Sequence, residues 1–256
     1  MYNKLLLFDL DDTLLTSKKT ISLCTSAAIK ACKEKGMLIG YITARARPFR
    51  GEAFFIDNLP CDFIAYYNGA EICAGDKTIE SNLIPYKDAI SIIQKLSEAY
   101  PKTAIGVYLE PWSYMRGEIW NIDTGEKQKC SLFDLPHYDV QRMRIVFDAD
   151  DDIQLNDYLT EEAVSFLTSD GTAIIINKNA VKERALKKAS EWFQIPLCDI
   201  IAFGDDVNDI AMLKMAGTGV AMGNAADSVK AAADYITESN DDEGICNWIN
   251  NNLFHM

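Results

Sequence analysis

The sequence predicts an α/β protein built on a doubly wound parallel sheet, with a separate α+β domain inserted into it. Two observations support this prediction. Short apolar runs that end in acidic or polar residues alternate with helical segments, and this rhythm changes between Asn82 and Ala180. Sheets of this kind bind their ligands at the carboxyl ends of the strands, so the residues directly after each apolar run are the first candidates for function.

The parallel-sheet domain is predicted in two parts, residues 1–81 and 181–256. In the first part, Ser22 is placed to cap a helix that stops at Gly36. The second part has the same alternation of buried strands and helices. In chain order the predicted elements are strand Lys4–Phe8, helix Ile21–Gly36, strands Leu38–Ile42 and Phe63–Tyr66, helix Val181–Phe193, strand Ile200–Phe203, helix Val207–Ala216, strand Gly219–Ala221 and helix Ala226–Ala233.

The inserted domain is predicted over residues 82–180. It opens with one helical segment and continues in runs rich in aromatic and β-branched residues, which is typical of an α+β layer. The predicted elements are helix Tyr86–Tyr100 and strands Thr103–Leu109, Tyr114–Trp120, Arg144–Phe147 and Ala173–Ile176.

Composition restricts the partners of the protein. Asp and Glu number 38 against 25 Lys and Arg, a formal net charge of -13, which disfavours nucleic acid and anionic membrane surfaces. We expect a small ligand; an anionic one needs a metal ion or a local cluster of cations.

The seven cysteines form no C-x-x-C pair, and we expect them to be reduced in a cytoplasmic protein without a membrane segment. The oligomeric state cannot be read from these features.

Two acidic clusters follow predicted strands. Asp9 and Asp11 flank Leu10 directly after the first strand, where two carboxylates can share a divalent cation or retain one proton. The alternative is an acidic capping turn. Gly204-Asp205-Asp206-Val207-Asn208-Asp209 follows Ile200–Phe203, and helix capping by Asp206 would account for one of its acids but not for three.

Phosphate-binding groups are also placed where the fold would use them. Thr43 ends the second strand with Arg45 close behind, and Lys182 begins a helix. A hydroxyl at a strand end and an ammonium at a helix start can both donate to phosphate oxygens. Taken alone, a lysine in this position is more often simply solvated, and Lys178, Lys187 and Lys188 are nearby competitors.

In order along the chain, these four elements resemble the signature motifs of the haloacid dehalogenase superfamily. The string from Phe203 to Leu213, followed by Gly219 to Ala225, resembles the Cof-type members, as does the turn Asn68-Gly69-Ala70. The resemblance implies a Rossmann-like core, a cap at residues 82–180, and Mg²⁺-dependent hydrolysis of a small phosphorylated metabolite through an aspartyl-phosphate. The sequence departs from the usual motifs at Asp12, Ala44 and Glu183, where glycine is more common.

The same resemblance implies roles for individual residues. Asp9 would be the nucleophile, Asp11 the general acid and base, and Thr43 and Lys182 would bind the transferring oxygens. Mg²⁺ would be held by Asp9, the backbone carbonyl of Asp11, and Asp205. Supporting roles fall to Asp209, Asn208, Arg45 and Asn68.

The substrate is predicted only as a class: a sugar phosphate, pyridoxal phosphate or a flavin-type phosphate. In capped members of the superfamily the inserted domain contacts the leaving group. An aromatic and basic cluster there could line a pocket, although edge-strand packing also explains aromatics at this spacing. Its members are Tyr108, Trp112, Tyr114, Arg116 and Trp120.

Three other functions remain open from the sequence. A phosphosugar mutase of the same superfamily would need a bisphosphate activator and would release little phosphate. A receiver-type signalling domain shares the aspartyl-phosphate chemistry but lacks the inserted domain. A phosphate-sensing or binding protein with weak turnover is the third.

Overall fold

A computed structural model of the chain describes residues 4–48, 56–121, 123–147, 154–168 and 171–254. These residues fall into two compact units. Unit 1 contains residues 4–46, 56–80 and 181–254. Unit 2 contains residues 47–48 and the described residues between 81 and 180.

The described residues form two β-sheets and the helices that accompany them. The strands are β1 (Leu5–Phe8), β2 (Leu38–Ile42), β3 (Phe63–Tyr66), β4 (Glu71–Ala74), β5 (Lys77–Ser81), β6 (Ala104–Leu109), β7 (Trp112–Met115), β8 (Glu118–Asn121), β9 (Lys127–Lys129), β10 (Arg142–Val146), β11 (Ala163–Leu167), β12 (Ala173–Asn177), β13 (Ile200–Gly204), β14 (Thr218–Ala221) and β15 (Tyr235–Ile236). The α-helices are α1 (Leu23–Glu34), α2 (Tyr86–Ala99), α3 (Lys182–Phe193), α4 (Ile210–Met215), α5 (Asp227–Lys230) and α6 (Gly244–Ile249).

The sheet of unit 1 has the order β15-β14-β13-β1-β2-β3-β4-β5. All neighbouring pairs from β15 to β3 are parallel, and β4 then pairs with β3 in the antiparallel direction. The predicted α/β fold class is confirmed. The sequence patterns did not reveal β4, β5 or the two-residue strand β15, because short strands at a sheet edge carry little periodic signal.

Both faces of this sheet are covered by helices. Leu6 and Phe8 of β1 pack into one core with residues of α1 and α6, whereas Leu5 and Leu7 pack into a second core with residues of α3 and α4. All four side chains are fully buried. Burying a side chain of this size is worth about 1.5–3 kcal/mol, so this central strand is fixed firmly and the loop at its carboxyl end is anchored with it.

Helix α1 begins as the sequence predicts, because the Ser22 side chain accepts a hydrogen bond of 3.0 Å from the Thr25 amide. The expectation of reduced cysteines is wrong for two of the seven. Cys24 of α1 and Cys246 of α6 form a disulfide, with their Cα atoms 5.7 Å apart. They are 222 positions apart in sequence, and only the packing of α1 against α6 brings them within bonding reach.

Unit 2 is an antiparallel sheet of order β11-β12-β10-β6-β7-β8-β9, packed against α2. The predicted strand Tyr114–Trp120 is wrong as a single element. The chain turns at Arg116 and Gly117, whose φ angles are 51° and 84°, and so divides the run into β7 and β8. Within the described ranges of both units, every helix is too short or too polar to span a bilayer.

Candidate active site

The site lies within unit 1, at the carboxyl ends of neighbouring strands. Asp9 follows β1, and its backbone N–H donates to the Phe203 carbonyl of β13 at 3.1 Å. Asp205 follows β13, which pairs with β1 in parallel register. The two acidic clusters predicted from sequence therefore meet, because their strands are adjacent in the sheet.

A buried lysine joins two of these acids. The Lys182 ammonium donates to Asp9 Oδ1 at 2.7 Å and to Asp209 Oδ1 at 2.6 Å. Lys182 is 2% exposed, Asp9 5% and Asp209 0%. An ammonium buried this deeply needs charged partners to offset its loss of hydration. Of the lysines that competed for this role in the sequence, Lys182 is the one that the fold brings to Asp9.

Asp209 is fixed by its own loop. Its Oδ2 accepts the backbone N–H groups of Asp205 at 3.1 Å and Asp206 at 3.0 Å. Gly204 makes this turn possible, since a Cβ there would lie 2.6 Å from the Asp209 Cβ. The acid that the sequence assigned to a supporting role thus contacts Lys182 directly.

The carboxylates suit a hard divalent cation. Ligand oxygens of Asp9, Asp205 and Asp209 all lie within 4.8 Å of one another. Asp205 also accepts a hydrogen bond of 2.6 Å from the Thr13 hydroxyl, which orients it. Three carboxylates around one point, with a single lysine among them, form the all-oxygen donor set that Mg²⁺ prefers. The residues therefore fit the predicted metal.

Burial raises the pKa of two acids of this cluster, Asp9 and Asp205. Burial, reinforced by the neighbouring Asp209 and Asp205, raises the pKa of Asp9 to about 8 even though Lys182 acts in the opposite direction. Burial likewise raises the pKa of Asp205 to about 6. A cation among these groups would favour their ionised forms.

Asp11 has the opposite environment. Arg45 donates to both of its oxygens, from Nε at 2.7 Å and from a terminal nitrogen at 2.6 Å, and the Lys19 ammonium lies 3.0 Å away. Burial alone would raise the pKa of Asp11, but the hydrogen bonds and charges of these two cations lower it below its usual value. Asp9 and Asp11 are therefore held in different protonation states.

The remaining predicted residues lie along the same edge. Thr43 follows β2, is 1% exposed, and accepts a hydrogen bond of 3.1 Å from the Arg45 amide. The backbone N–H of Asn68 donates to the Thr43 carbonyl at 2.7 Å, and Asn68 has a left-handed conformation, with φ 60°. Asn208 lies exposed on the turn that leads to Asp209.

The aromatic cluster predicted on the inserted domain is divided between two faces of the unit 2 sheet. Tyr114 is buried in the core beneath α2, and Trp112 packs against the same core. Because side chains alternate along a strand, Tyr108 and Trp120 lie on the opposite face. Arg116 lies in the turn between β7 and β8. The prediction of one cluster is wrong for Trp112 and Tyr114.

Sequence reasoning missed several residues of the site. Thr13 could have been found, because its hydroxyl lies in the same acidic run as Asp9. Lys19 carried no signal, because it contacts Asp11 from a turn further along the chain. Asn224 lies in the string from Gly219 to Ala225 that supported the family resemblance, but no role was assigned to it; it donates to the Asp12 carbonyl at 2.7 Å. Outside this site, in unit 2, sequence reasoning also missed Arg142, which lies on the strand next to Tyr108 and places its guanidinium 4.5 Å from the Tyr108 ring.

Comparison with known proteins agrees with this architecture. A sequence profile of haloacid dehalogenase-like hydrolases matches residues 6–249. A 5-amino-6-(5-phospho-D-ribitylamino)uracil phosphatase of Bacillus subtilis is 29% identical over 248 residues, covering 94% of this chain and 92% of the relative. A pyridoxal phosphate phosphatase of Escherichia coli is 28% identical, covering 99% of this chain and 100% of the relative.

The fold is also found in solved structures. The crystal structure of a haloacid dehalogenase-like hydrolase from Bacteroides thetaiotaomicron superposes with a TM-score of 0.79 at 27% identity, covering 97% of this chain and 99% of the other. The chain therefore belongs to the haloacid dehalogenase-like hydrolases, and the resemblance based on its motifs is confirmed. It is an enzyme, and the two relatives described above are phosphatases.

Proposed function

We propose that this chain hydrolyses phosphate monoesters of small metabolites, with Mg²⁺, through a covalent aspartyl-phosphate on Asp9. The observation that carries the proposal is the buried cluster in which Lys182 bridges Asp9 and Asp209 with Asp205 beside them. Concentrating three acids around a single ammonium destabilises the fold. Clusters of this kind are therefore found mainly at functional sites.

Each residue of the cluster has a defined part in this chemistry. Asp9 attacks phosphorus, while the Lys182 ammonium and the Thr43 hydroxyl bind the transferring oxygens, where each donor is worth a few kcal/mol (roughly 3–4) in the transition state. Mg²⁺, held by Asp9, Asp205 and the Asp11 carbonyl with Asp209 in support, would favour the ionised nucleophile and offset the charge of the phosphate.

Asp11 supplies the proton for the leaving oxygen and then accepts one from water. Its ion pairs with Arg45 and Lys19 favour the carboxylate, so they must weaken before Asp11 can carry a proton. The phosphate of an incoming substrate competes for these two cations. Substrate binding therefore raises the pKa of Asp11 towards its usual value, which couples proton loading to the presence of a phosphate.

In this proposal residues 82–180 select the leaving group, which is the role of the cap domain that the family resemblance implies. The two relatives act on phosphates of a ribitylaminouracil and of pyridoxal, both of which carry a planar ring. Tyr108 and Trp120 share one face of the unit 2 sheet and offer aromatic surfaces for such a ring. The Arg142 guanidinium lies 4.5 Å from the Tyr108 ring, and Arg116 follows β7 in the turn that leads to β8.

The test is phosphate release from a panel containing both of those phosphates and several hexose phosphates, with Mg²⁺ and then with a chelator. We expect turnover that requires the metal, and we expect Asp9→Asn to abolish both turnover and the acid-stable phosphoenzyme. Asp12→Asn is the matched control, because that side chain is 53% exposed and the family usually has glycine there.

Phosphate release by Asp9→Asn at a rate near the parent's would remove the nucleophile assignment. A long-lived phosphoenzyme without turnover would instead indicate a receiver-like function. Turnover that needs a bisphosphate activator and yields an isomer would indicate a mutase.

A further inference from the structure

The loop that follows β1 has an unusual backbone. Asp12 adopts a left-handed conformation, with φ 59°, between Asp11 and Thr13. Two backbone hydrogen bonds close the loop: the Leu14 amide donates to the Asp9 carbonyl at 3.3 Å and the Leu15 amide to the Leu10 carbonyl at 2.8 Å. A left-handed φ is unfavourable for a residue with a side chain, so the conformation persists only where neighbouring groups impose it.

Two asparagines from distant turns bind the outer side of this loop. The Asn224 carboxamide, which follows β14, donates to the Asp12 carbonyl at 2.7 Å. The Asn240 carboxamide, which follows β15, donates to the Leu15 carbonyl at 2.9 Å. The Asn240 backbone N–H donates in turn to Asn224 Oδ1 at 3.1 Å. The two side chains form one continuous bridge across the loop, which we call the asparagine bridge.

Residues 241–243, which follow Asn240, also bind the chain just after the loop, at Ser17 and Ser22. The Asp241 carboxylate accepts the Ser17 amide at 2.8 Å, and Glu243 accepts the Ser22 hydroxyl. The segment after β15 therefore runs beside the chain that leaves the active site. Asn240 belongs to this segment, and it also holds Asn224, whose carboxamide reaches the carbonyl of the strained residue Asp12.

We infer that Asn224 and Asn240 are positioning residues, which hold the backbone of residues 10–15 in the conformation that places Asp11 for catalysis. The inference rests on the proposed function for its kinetic consequence only. The physical reason is that a carboxamide donating to the Asp12 carbonyl fixes the Asp12–Thr13 peptide plane, one residue beyond Asp11, and a displacement of about 1 Å at a reacting group can cost up to a hundredfold in rate. Neither asparagine touches Asp9, Lys182 or Asp205 in the described contacts.

The experiment compares Asn224→Ala and Asn240→Ala with Asn252→Ala. Asn252 is a matched control, because its carboxamide also donates to a backbone carbonyl, that of Trp248 at 2.8 Å, but at the end of the chain's last helical segment. Two quantities are measured: hydrogen exchange of the Leu14 and Leu15 amides, and kcat and KM on the best substrate of the panel with Mg²⁺. Asn224→Leu provides a second variant, in which a side chain of similar size carries no donor.

We expect the Leu14 and Leu15 amides to exchange about tenfold faster in both bridge variants, and kcat to fall about tenfold with KM and melting temperature near the parent's. Unchanged exchange, unchanged kcat, or an equal fall in the Asn252 variant would each overturn the inference. If the parent enzyme releases no phosphate from any substrate, the proposed function fails on its own, and the exchange measurement still decides whether the bridge holds the loop.

Discussion

The metal-free Asp9→Asn variant will be more stable than the parent protein at neutral pH, and its advantage will grow as the pH rises. Asparagine keeps the shape of the aspartate and can still accept a hydrogen bond from Lys182, but it carries no titrating proton. The substitution therefore removes the cost of ionising a buried carboxyl while leaving the packing of the site almost intact.

The magnitude follows from the environment of Asp9. Burial raises its pKa from 3.8 to about 8 in the folded protein. Between these values the unfolded chain has already released the proton that the folded protein retains, so the stability of the parent falls as the pH rises, by about 1.4 kcal/mol per pH unit. Between about pH 5.5 and about pH 7.5 the advantage of the variant should therefore increase by about 3 kcal/mol.

Urea denaturation of both proteins in a chelator at these two pH values measures this difference. If the stability difference is the same at both, or if the variant is the less stable protein at the higher pH, the reasoning about a buried, protonated Asp9 is refuted. Adding Mg²⁺ should stabilise the parent far more than the variant, since the ion binds the folded carboxylates.

Three further predictions concern other contacts. Lys182→Met deprives buried Asp9 and Asp209 of the ammonium that donates to both, so we expect the free energy of unfolding to fall by about 3–5 kcal/mol and turnover to be lost, whereas Lys178→Met should change stability by less than about 0.5 kcal/mol in the same denaturation assay. Arg45→Ala removes the main hydrogen bonds that lower the pKa of Asp11 in the free enzyme, so the limb of the kcat/KM profile governed by Asp11 should move to higher pH; an unchanged profile contradicts this. Cys24→Ser should lower the free energy of unfolding by about 2–4 kcal/mol with kcat unchanged, and a reductant should have a similar effect on the parent but none on the variant.

The strands that carry the site could be predicted because their signal is local. The apolar run before Asp9 and the one before Asp205 each end where a parallel strand must open into a loop, and each was placed within one residue of its observed end. Lys182 was placed correctly at the start of a helix, although three other lysines nearby competed for its role in sequence. Its burial between Asp9 and Asp209 was decided by contacts across 173 and 27 positions.

The sequence by itself determined the fold class, the family and the acids at the strand ends, because periodicity and short motifs are written in consecutive residues. Tertiary structure alone decided which groups meet: the pairing of Cys24 with Cys246, the capture of Asp11 by Arg45 and Lys19, and the asparagine bridge. It also separated Tyr114 from Tyr108 by placing them on opposite faces of one sheet. The physical reason is that strand order and helix packing set these distances, and neither leaves a trace in the spacing of residues along the chain.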